Sequence, residues 1–197
     1  MFTGIIEAVG QIKQVEQRDQ GVRLTIASDK LDFSDVAVGD SIAANGVCLT
    51  VISLAGNAYT VDVSQESLNC TVGLGEPGEV NLEKAMRLSD RLGGHLVSGH
   101  VDGVGEVVKF DPVGESHLLR IRAPRALSHY IATKGSITVN GVSLTVNEVR
   151  GDEFTINLIP HTLDVTTLKH LKPGSRVNLE ADMLARYVDR LLHPGNM

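Results

Sequence analysis

Asn45-Gly46-Val47-Cys48-Leu49-Thr50-Val51 reads as a tight turn entering a strand, and the chain writes it again as Asn140-Gly141-Val142-Ser143-Leu144-Thr145-Val146. The offset is 95 residues, Asn45 to Asn140. It also carries Thr3-Gly4-Ile5-Ile6-Glu7-Ala8-Val9-Gly10 onto Ser98-Gly99-His100-Val101-Asp102-Gly103-Val104-Gly105, Ser41-Ile42 onto Ser136-Ile137, and Ser67-Leu68 onto Thr162-Leu163. Later pairs drift by a residue or two, as small loop insertions produce: Pro77-Gly78 answers Pro173-Gly174, and Val80-Asn81-Leu82-Glu83 answers Val177-Asn178-Leu179-Glu180. Self-similarity at a fixed period marks a duplicated architecture. Two copies of one domain are expected, over 1–96 and 97–181, with a tail at 182–197.

Within each copy the signals are for strands. Val22–Ala27, Ser41–Ala44, Cys48–Leu54 and Tyr59–Val63 are short apolar or alternating runs, separated by Asn45-Gly46 and Gly56-Asn57. Asn-Gly between two apolar runs is a strong hairpin signal, because both turn positions need positive φ. Asn140-Gly141 and Gly151-Asp152 punctuate the second copy likewise. Five or six such strands per copy fit a small closed antiparallel barrel, and closure removes the exposed edges that apolar strands would otherwise present. The fold class is therefore all-β. Short helices are expected near Leu31–Phe33 and Arg125–Ala132. A longer one is expected over Asp182–Leu192, where Met183, Leu184, Tyr187, Val188, Leu191 and Leu192 fall on one face. His193-Pro194-Gly195 stops it. That helix either packs on its own barrel or bundles with copies from other subunits.

Trp is absent and aromatics make up 4%, so the cores must be aliphatic. The formal charge of −6 is scattered, with no Lys/Arg stripe, which argues against nucleic acid as a partner. No apolar run reaches the roughly 18 residues needed to cross a bilayer. Met1–Gly10 lacks the basic-then-apolar pattern of a signal peptide. The two cysteines, Cys48 and Cys70, then read as reduced thiols of a cytoplasmic protein.

No dinucleotide or phosphate-loop fingerprint occurs, and no cofactor is expected. His95 and His100 stand five apart on an extended segment, on opposite faces, which does not favour zinc. No Gly-x-Ser-x-Gly elbow supports a serine hydrolase. What remains is paired polar content. Cys48 and Thr50 share one face of a strand, as do Ser143 and Thr145 in the second copy. Taken by spacing alone, Cys48 also reads as a small buried hydrophobe and the threonines as ordinary strand residues, leaving function open.

Met1-Phe2-Thr3-Gly4-Ile5-Ile6, the two Asn-Gly segments and the joint Gly93-Gly94-His95-Leu96-Val97-Ser98-Gly99-His100 together resemble the riboflavin synthase family, in order and along the whole chain. The resemblance implies two six-stranded Greek-key barrels, each binding one 6,7-dimethyl-8-ribityllumazine. It implies a homotrimer held by the C-terminal helices, with each active site between barrels of neighbouring subunits. Lumazine synthase is a further partner for some members. The implied reaction moves a four-carbon unit between two lumazines, giving riboflavin and 5-amino-6-(ribitylamino)uracil.

Carried over by position, Gly4, Ile5 and Ile6 line the first pocket with Phe2 at its rim. Cys48, Leu49 and Thr50 contact the ring there, and Asp62, Val63, Ser64, Gln65, Glu66 and Ser67 lie on its ribityl side. In the second pocket Gly99, His100 and Val101 match the opening segment, and Ser143, Leu144 and Thr145 the hairpin strand. Ile159, Pro160, His161, Thr162, Leu163 and Asp164 match the ribityl segment. Lys134 reaches across the subunit interface. Ser41, Cys48 and His100 are the catalytic candidates: His100 for proton transfer, Cys48 to add at C7 or to position the ring, with water or a ribityl hydroxyl as the other nucleophiles. The copies differ at Cys48/Ser143 and Ile5/His100, which suits a donor and an acceptor in distinct pockets. A non-catalytic lumazine or flavin carrier is the nearest rival reading. A reductase's flavin barrel would need a nicotinamide domain for which two repeats leave no room.

Overall fold

The computed structural model describes residues 1–193. Twelve strands form two closed barrels, β1–β6 and β7–β12, whose strand orders β1-β2-β5-β4-β3-β6 and β7-β8-β11-β10-β9-β12 correspond one to one. The first uses β1 (Ala8–Arg18), β2 (Gly21–Ala27), β3 (Ser41–Ala44), β4 (Val47–Ala55), β5 (Ala58–Ser64) and β6 (Gly78–Lys84). The second uses β7 (Gly103–Val113), β8 (Ser116–Arg122), β9 (Ser136–Val139), β10 (Val142–Arg150), β11 (Glu153–Leu158) and β12 (Arg176–Ala181). All pairs are antiparallel. β3, β4 and β5 follow one another by hairpins while β6 returns beside β3, which is a Greek key. Even the register shifts repeat: Ile12/Gln14 and Val51/Ser53 answer Val107/Lys109 and Val146/Glu148.

The Asn-Gly turns behave as the hairpin argument requires. Asn45 and Asn140 both have φ of 48°, followed by Gly46 at 81° and Gly141 at 82°. Each barrel is filled by aliphatic side chains around a single large aromatic, Tyr59 in one and Phe154 in the other.

The four helices are α1 (Gln65–Cys70), α2 (Arg125–Ser128), α3 (Pro160–Val165) and α4 (Met183–Leu192), with a 3-10 turn at Thr167–His170. α4 matches the periodic run, starting from an Asp182 cap that accepts from Leu184 N–H. Pro194 and Gly195, expected to end it, lie outside the described residues. α2 is shorter than expected. The expected helix at Leu31–Phe33 is a non-helical turn, because short polar side chains take its backbone donors. Ser28 Oγ accepts from Lys30 and Leu31, and Asp32 Oδ1 accepts from Ser34.

The barrels meet about a local twofold relation. The two hairpin turns abut so closely that a Cβ on Gly46 would lie 2.8 Å from Gly141 N, and one on Gly141 2.8 Å from Gly46 N. Four asparagines stitch this seam. Asn81 N–H donates to Asn45 Oδ1 and Asn178 N–H to Asn140 Oδ1. Across the seam, Asn81 Nδ2 donates to Asn140 O and Asn178 Nδ2 to Asn45 O. Asn81 and Asn178 are 1% exposed, so these bonds are sheltered from water and unmaking them is costly.

Candidate active site

Each barrel offers the outer face of its Asn-Gly hairpin, and each face is covered by an extended segment. In the first barrel the covering segment is the joint. Cys48 N–H donates to Gly99 O at 2.9 Å. Gly99 has φ of 79°, and a Cβ there would sit 2.7 Å from Cys48 Cβ and 2.9 Å from the Phe2 ring. Glu180 holds the joint in place, accepting from Ser98 N–H (2.7 Å), Ser98 Oγ (2.6 Å) and Gly99 N–H (3.0 Å). Val101 then packs against the first barrel's core.

The second barrel repeats this with the opening segment. Ser143 N–H donates to Gly4 O at 2.8 Å. Glu83 accepts from Thr3 N–H (2.6 Å), Thr3 Oγ1 (2.7 Å) and Gly4 N–H (3.0 Å). Ile6 packs against the second barrel's core. Burial holds both carboxyls above the usual glutamate range, against the donors that pull them down.

This geometry corrects the pairing expected from the sequence. By sequence position Gly4, Ile5 and Ile6 group with Cys48, Leu49 and Thr50, and Gly99, His100 and Val101 with Ser143, Leu144 and Thr145. The structure crosses them. Each segment leads into its own barrel, but about the local twofold it first lies across the other copy's hairpin. Three side chains also differ from expectation. Leu49 and Val63 point into the first core, because alternate strand residues face opposite sides. Phe2 is not at a rim: it is fully buried, bridged to Val97 and packed with Ala43.

Cys48 is half-buried and Thr50 exposed on the first hairpin, with Ser41 opposite Thr50. β5 runs past Val61, which faces Val51, toward the Cys48 end of β4. That brings Asp62 and the start of α1, capped by Ser64 Oγ, alongside the outer face of the first hairpin. Asp62 is engaged by Arg23 through two 2.8 Å bonds that hold its carboxyl below the usual range. In the second barrel Ser143 and Leu144 are half-buried and Thr145 exposed. β11, paired with β10 at Ile156–Val146, delivers Ile159, Pro160, His161, Thr162 and Asp164 to the matching place, while Leu163 packs against the core. His100 is exposed in a cleft of about 490 Å³, shared with Ser98, Val101, Met183, Arg186 and Tyr187. Lys134 is exposed with φ of 67°.

Sequence reading misses five residues of this assembly: Glu83, Glu180, His95 and the bridging pair Asn81 and Asn178. The repeated Val-Asn-Leu-Glu is the available signal for four of them. His95 is buried with Nδ1 2.7 Å from Ser143 Oγ, and burial pushes it below the usual imidazole value. Among the described residues no three His, Cys, Asp or Glu side chains converge as a metal site would need, and no helix is long and apolar enough to cross a membrane.

The family model described as the lumazine binding domain matches residues 3–85 and again 98–182. Riboflavin synthase of Photobacterium phosphoreum is 49% identical over 194 residues, covering 98% of this chain and 89% of that one. The enzyme of that name from Bacillus subtilis (strain 168) is 43% identical over 198 residues, 100% and 92% covered. Among solved structures, LumP complexed with 6,7-dimethyl-8-(1'-D-ribityl) lumazine superposes with a TM-score of 0.80 at 29% identity, covering 92% of this chain and 99% of that one. LumP with riboflavin gives 0.81 at 30%, with the same coverage. Two matched domains, and relatives above 40% identity along nearly the full length, place the chain in the riboflavin synthase family of duplicated lumazine-binding proteins.

Proposed function

We propose that this protein is a transferase that dismutates two molecules of 6,7-dimethyl-8-ribityllumazine into riboflavin and 5-amino-6-(ribitylamino)uracil. The observation that carries the reading is the pair of crossed, near-equivalent segment-on-hairpin faces in a chain whose relatives at 42–49% identity are named riboflavin synthases. Two identical substrates call for two similar sites. Holding both in register replaces a bimolecular encounter with an effectively unimolecular one, worth several kcal/mol of barrier, up to about 7–11 in model systems. The transfer is redox-neutral, since the four carbons one ring loses are those the other gains, so it requires no external oxidant.

In this reading the first cleft binds one ring against Cys48, Thr50 and the Gly99–Val101 segment, with the ribityl chain toward Asp62–Ser67. The second binds its ring against Ser143, Thr145 and Gly4–Ile6, with the ribityl chain toward Ile159–Asp164. His100, exposed beside the Gly99 segment, moves the proton of the acidic 7-methyl group. Ser41 and Cys48 complete the catalytic set, Cys48 adding at C7 or holding the ring for a water or ribityl hydroxyl. The apolar face of α4 supports a homotrimer, in which one subunit's first cleft apposes its neighbour's second and Lys134 crosses the interface. Two unpaired cysteines suit the cytoplasm. The proposed units remain 1–96, 97–181 and the tail 182–197, with lumazine synthase as a further partner.

The test is incubation of the purified protein with 6,7-dimethyl-8-ribityllumazine alone. Equimolar riboflavin and diaminouracil are expected. Binding without turnover identifies a carrier and overturns the catalytic assignments.

A further inference from the structure

The second hairpin carries a side-chain pair that the first lacks. His95 is 7% exposed, its Nδ1 lies 2.7 Å from Ser143 Oγ, and its Nε2 is buried without a hydrogen-bond partner among the described residues. In the first cleft the corresponding Cys48 packs against Gly99 and the Phe2 ring, and a thiol is at best a weak donor.

Burial keeps His95 neutral at working pH, with one ring hydrogen to place. A hydrogen on Nε2 would leave a buried N–H unsatisfied, the arrangement folded proteins most avoid. A hydrogen on Nδ1 leaves only a lone pair unpaired there. The second tautomer therefore wins, and Nδ1–H donates to Ser143 Oγ. That bond uses the serine as acceptor and leaves its single hydrogen free to donate. The nearby carbonyls are already engaged: Thr3 O accepts from His95 N–H and Gly4 O from Ser143 N–H. Nor can the imidazole easily withdraw. A Cβ on Gly94 would fall 2.2 Å from Thr3 O and 2.8 Å from Ser143 Oγ, so the backbone carrying His95 is pressed onto this spot.

We propose that His95 is a positioning residue of the second cleft, orienting the Ser143 hydroxyl as a donor toward a carbonyl or ring-nitrogen acceptor of the bound lumazine, so that the two clefts hold identical molecules unequally. This rests on the lumazine reading above, but it concerns which cleft grips its ligand more tightly. A reaction that gives two identical molecules opposite roles requires such an inequality, and an oriented hydroxyl facing one ring and a thiol facing the other supplies it.

The experiment is equilibrium titration of the full-length protein with riboflavin, which does not turn over, for wild type, His95→Leu, His95→Asn, Ser143→Ala and the His95→Leu/Ser143→Ala double variant. Wild type is expected to show two classes of site. His95→Leu and Ser143→Ala each weaken the tighter class about five- to tenfold, the scale of one lost hydrogen bond. The double variant binds no more weakly than Ser143→Ala, because the histidine acts through the serine. His95→Asn, whose amide N–H falls near the place of Nδ1, recovers most of the loss. With lumazine as substrate, KM rises by a similar factor while kcat changes less. Additive losses in the double variant would overturn the proposal. So would a lowered melting temperature with both riboflavin classes intact, or no rescue by asparagine. Two riboflavin classes in a wild type that never turns lumazine over would sink the catalytic reading and leave this inference standing.

Discussion

Glu83 and Glu180 are 4% and 2% exposed, yet each is a short acidic side chain committed to three donors on a segment from the opposite end of its own repeat. They hold Gly4 and Gly99 in place, and so set how each hairpin face is covered. Their carboxyls are held above the ordinary glutamate value, chiefly by burial, so the folded chain binds these protons more tightly than the unfolded one. That part of the stability is present at and below the ordinary value of 4.5 and is lost as pH rises through the folded value. The melting temperature of wild type, measured against a Glu83→Gln/Glu180→Gln variant, is therefore expected to gain as pH is lowered from neutrality toward 4.5. A difference that shrinks over that range would show that the carboxylates are stabilised as anions. The exposed Asp35 and Asp62 carboxyls, lowered by their cationic partners, act in the opposite sense and are common to both proteins, so the comparison removes them.

Among elements, hairpins are the most legible part of this chain, because Asn-Gly between apolar runs leaves the backbone few other choices. α1 and α3 are illegible by periodicity, since six residues are too few to display a 3.6-residue repeat. Their only marks are local, the Ser64 cap and Pro160 in the first turn. The crossed pairing of segments and hairpins is illegible for another reason: a repeat tells which residues correspond, not which copy they touch. α4 is legible and only half satisfied. Arg186 pairs with Asp102, and Tyr130 donates to Asp189 at 3.2 Å, tying its polar side to the second barrel. Tyr187, Val188, Leu191 and Leu192 stay exposed, Leu191 at 80%. Such a stripe on one face is what an intersubunit helix bundle would cover. Leu191→Asp with Val188→Asp is expected to shift the sedimenting species from trimer to monomer with the barrels' circular dichroism unchanged. A wild type that sediments as a monomer would refute the assembly proposed for α4.

For the molecule as a whole, the asparagine seam sets how the two barrels unfold. Surface ion pairs such as Arg18–Glu16 or Lys109–Asp111 are worth about 0–1 kcal/mol each and join residues within one barrel. The sheltered amides of Asn81 and Asn178 join one barrel to the other, and Asn81 Oδ1 also accepts from Thr167 N–H, as Asn178 Oδ1 does from Val72 N–H. Asn81→Ala with Asn178→Ala strands several buried partners, at about 1–3 kcal/mol for each group left unsatisfied. Calorimetry is expected to resolve one wild-type transition into two in that variant. A single transition at lower temperature would mean that the barrels are coupled elsewhere. The seam also bears on motion. Glycine backbones in contact at its centre leave no room for the turns to approach further, and the four asparagine bonds resist their separation. For residues 3–6 or 98–101 to leave the hairpins they cover, one carboxyl, Glu83 or Glu180, would have to release three hydrogen bonds together.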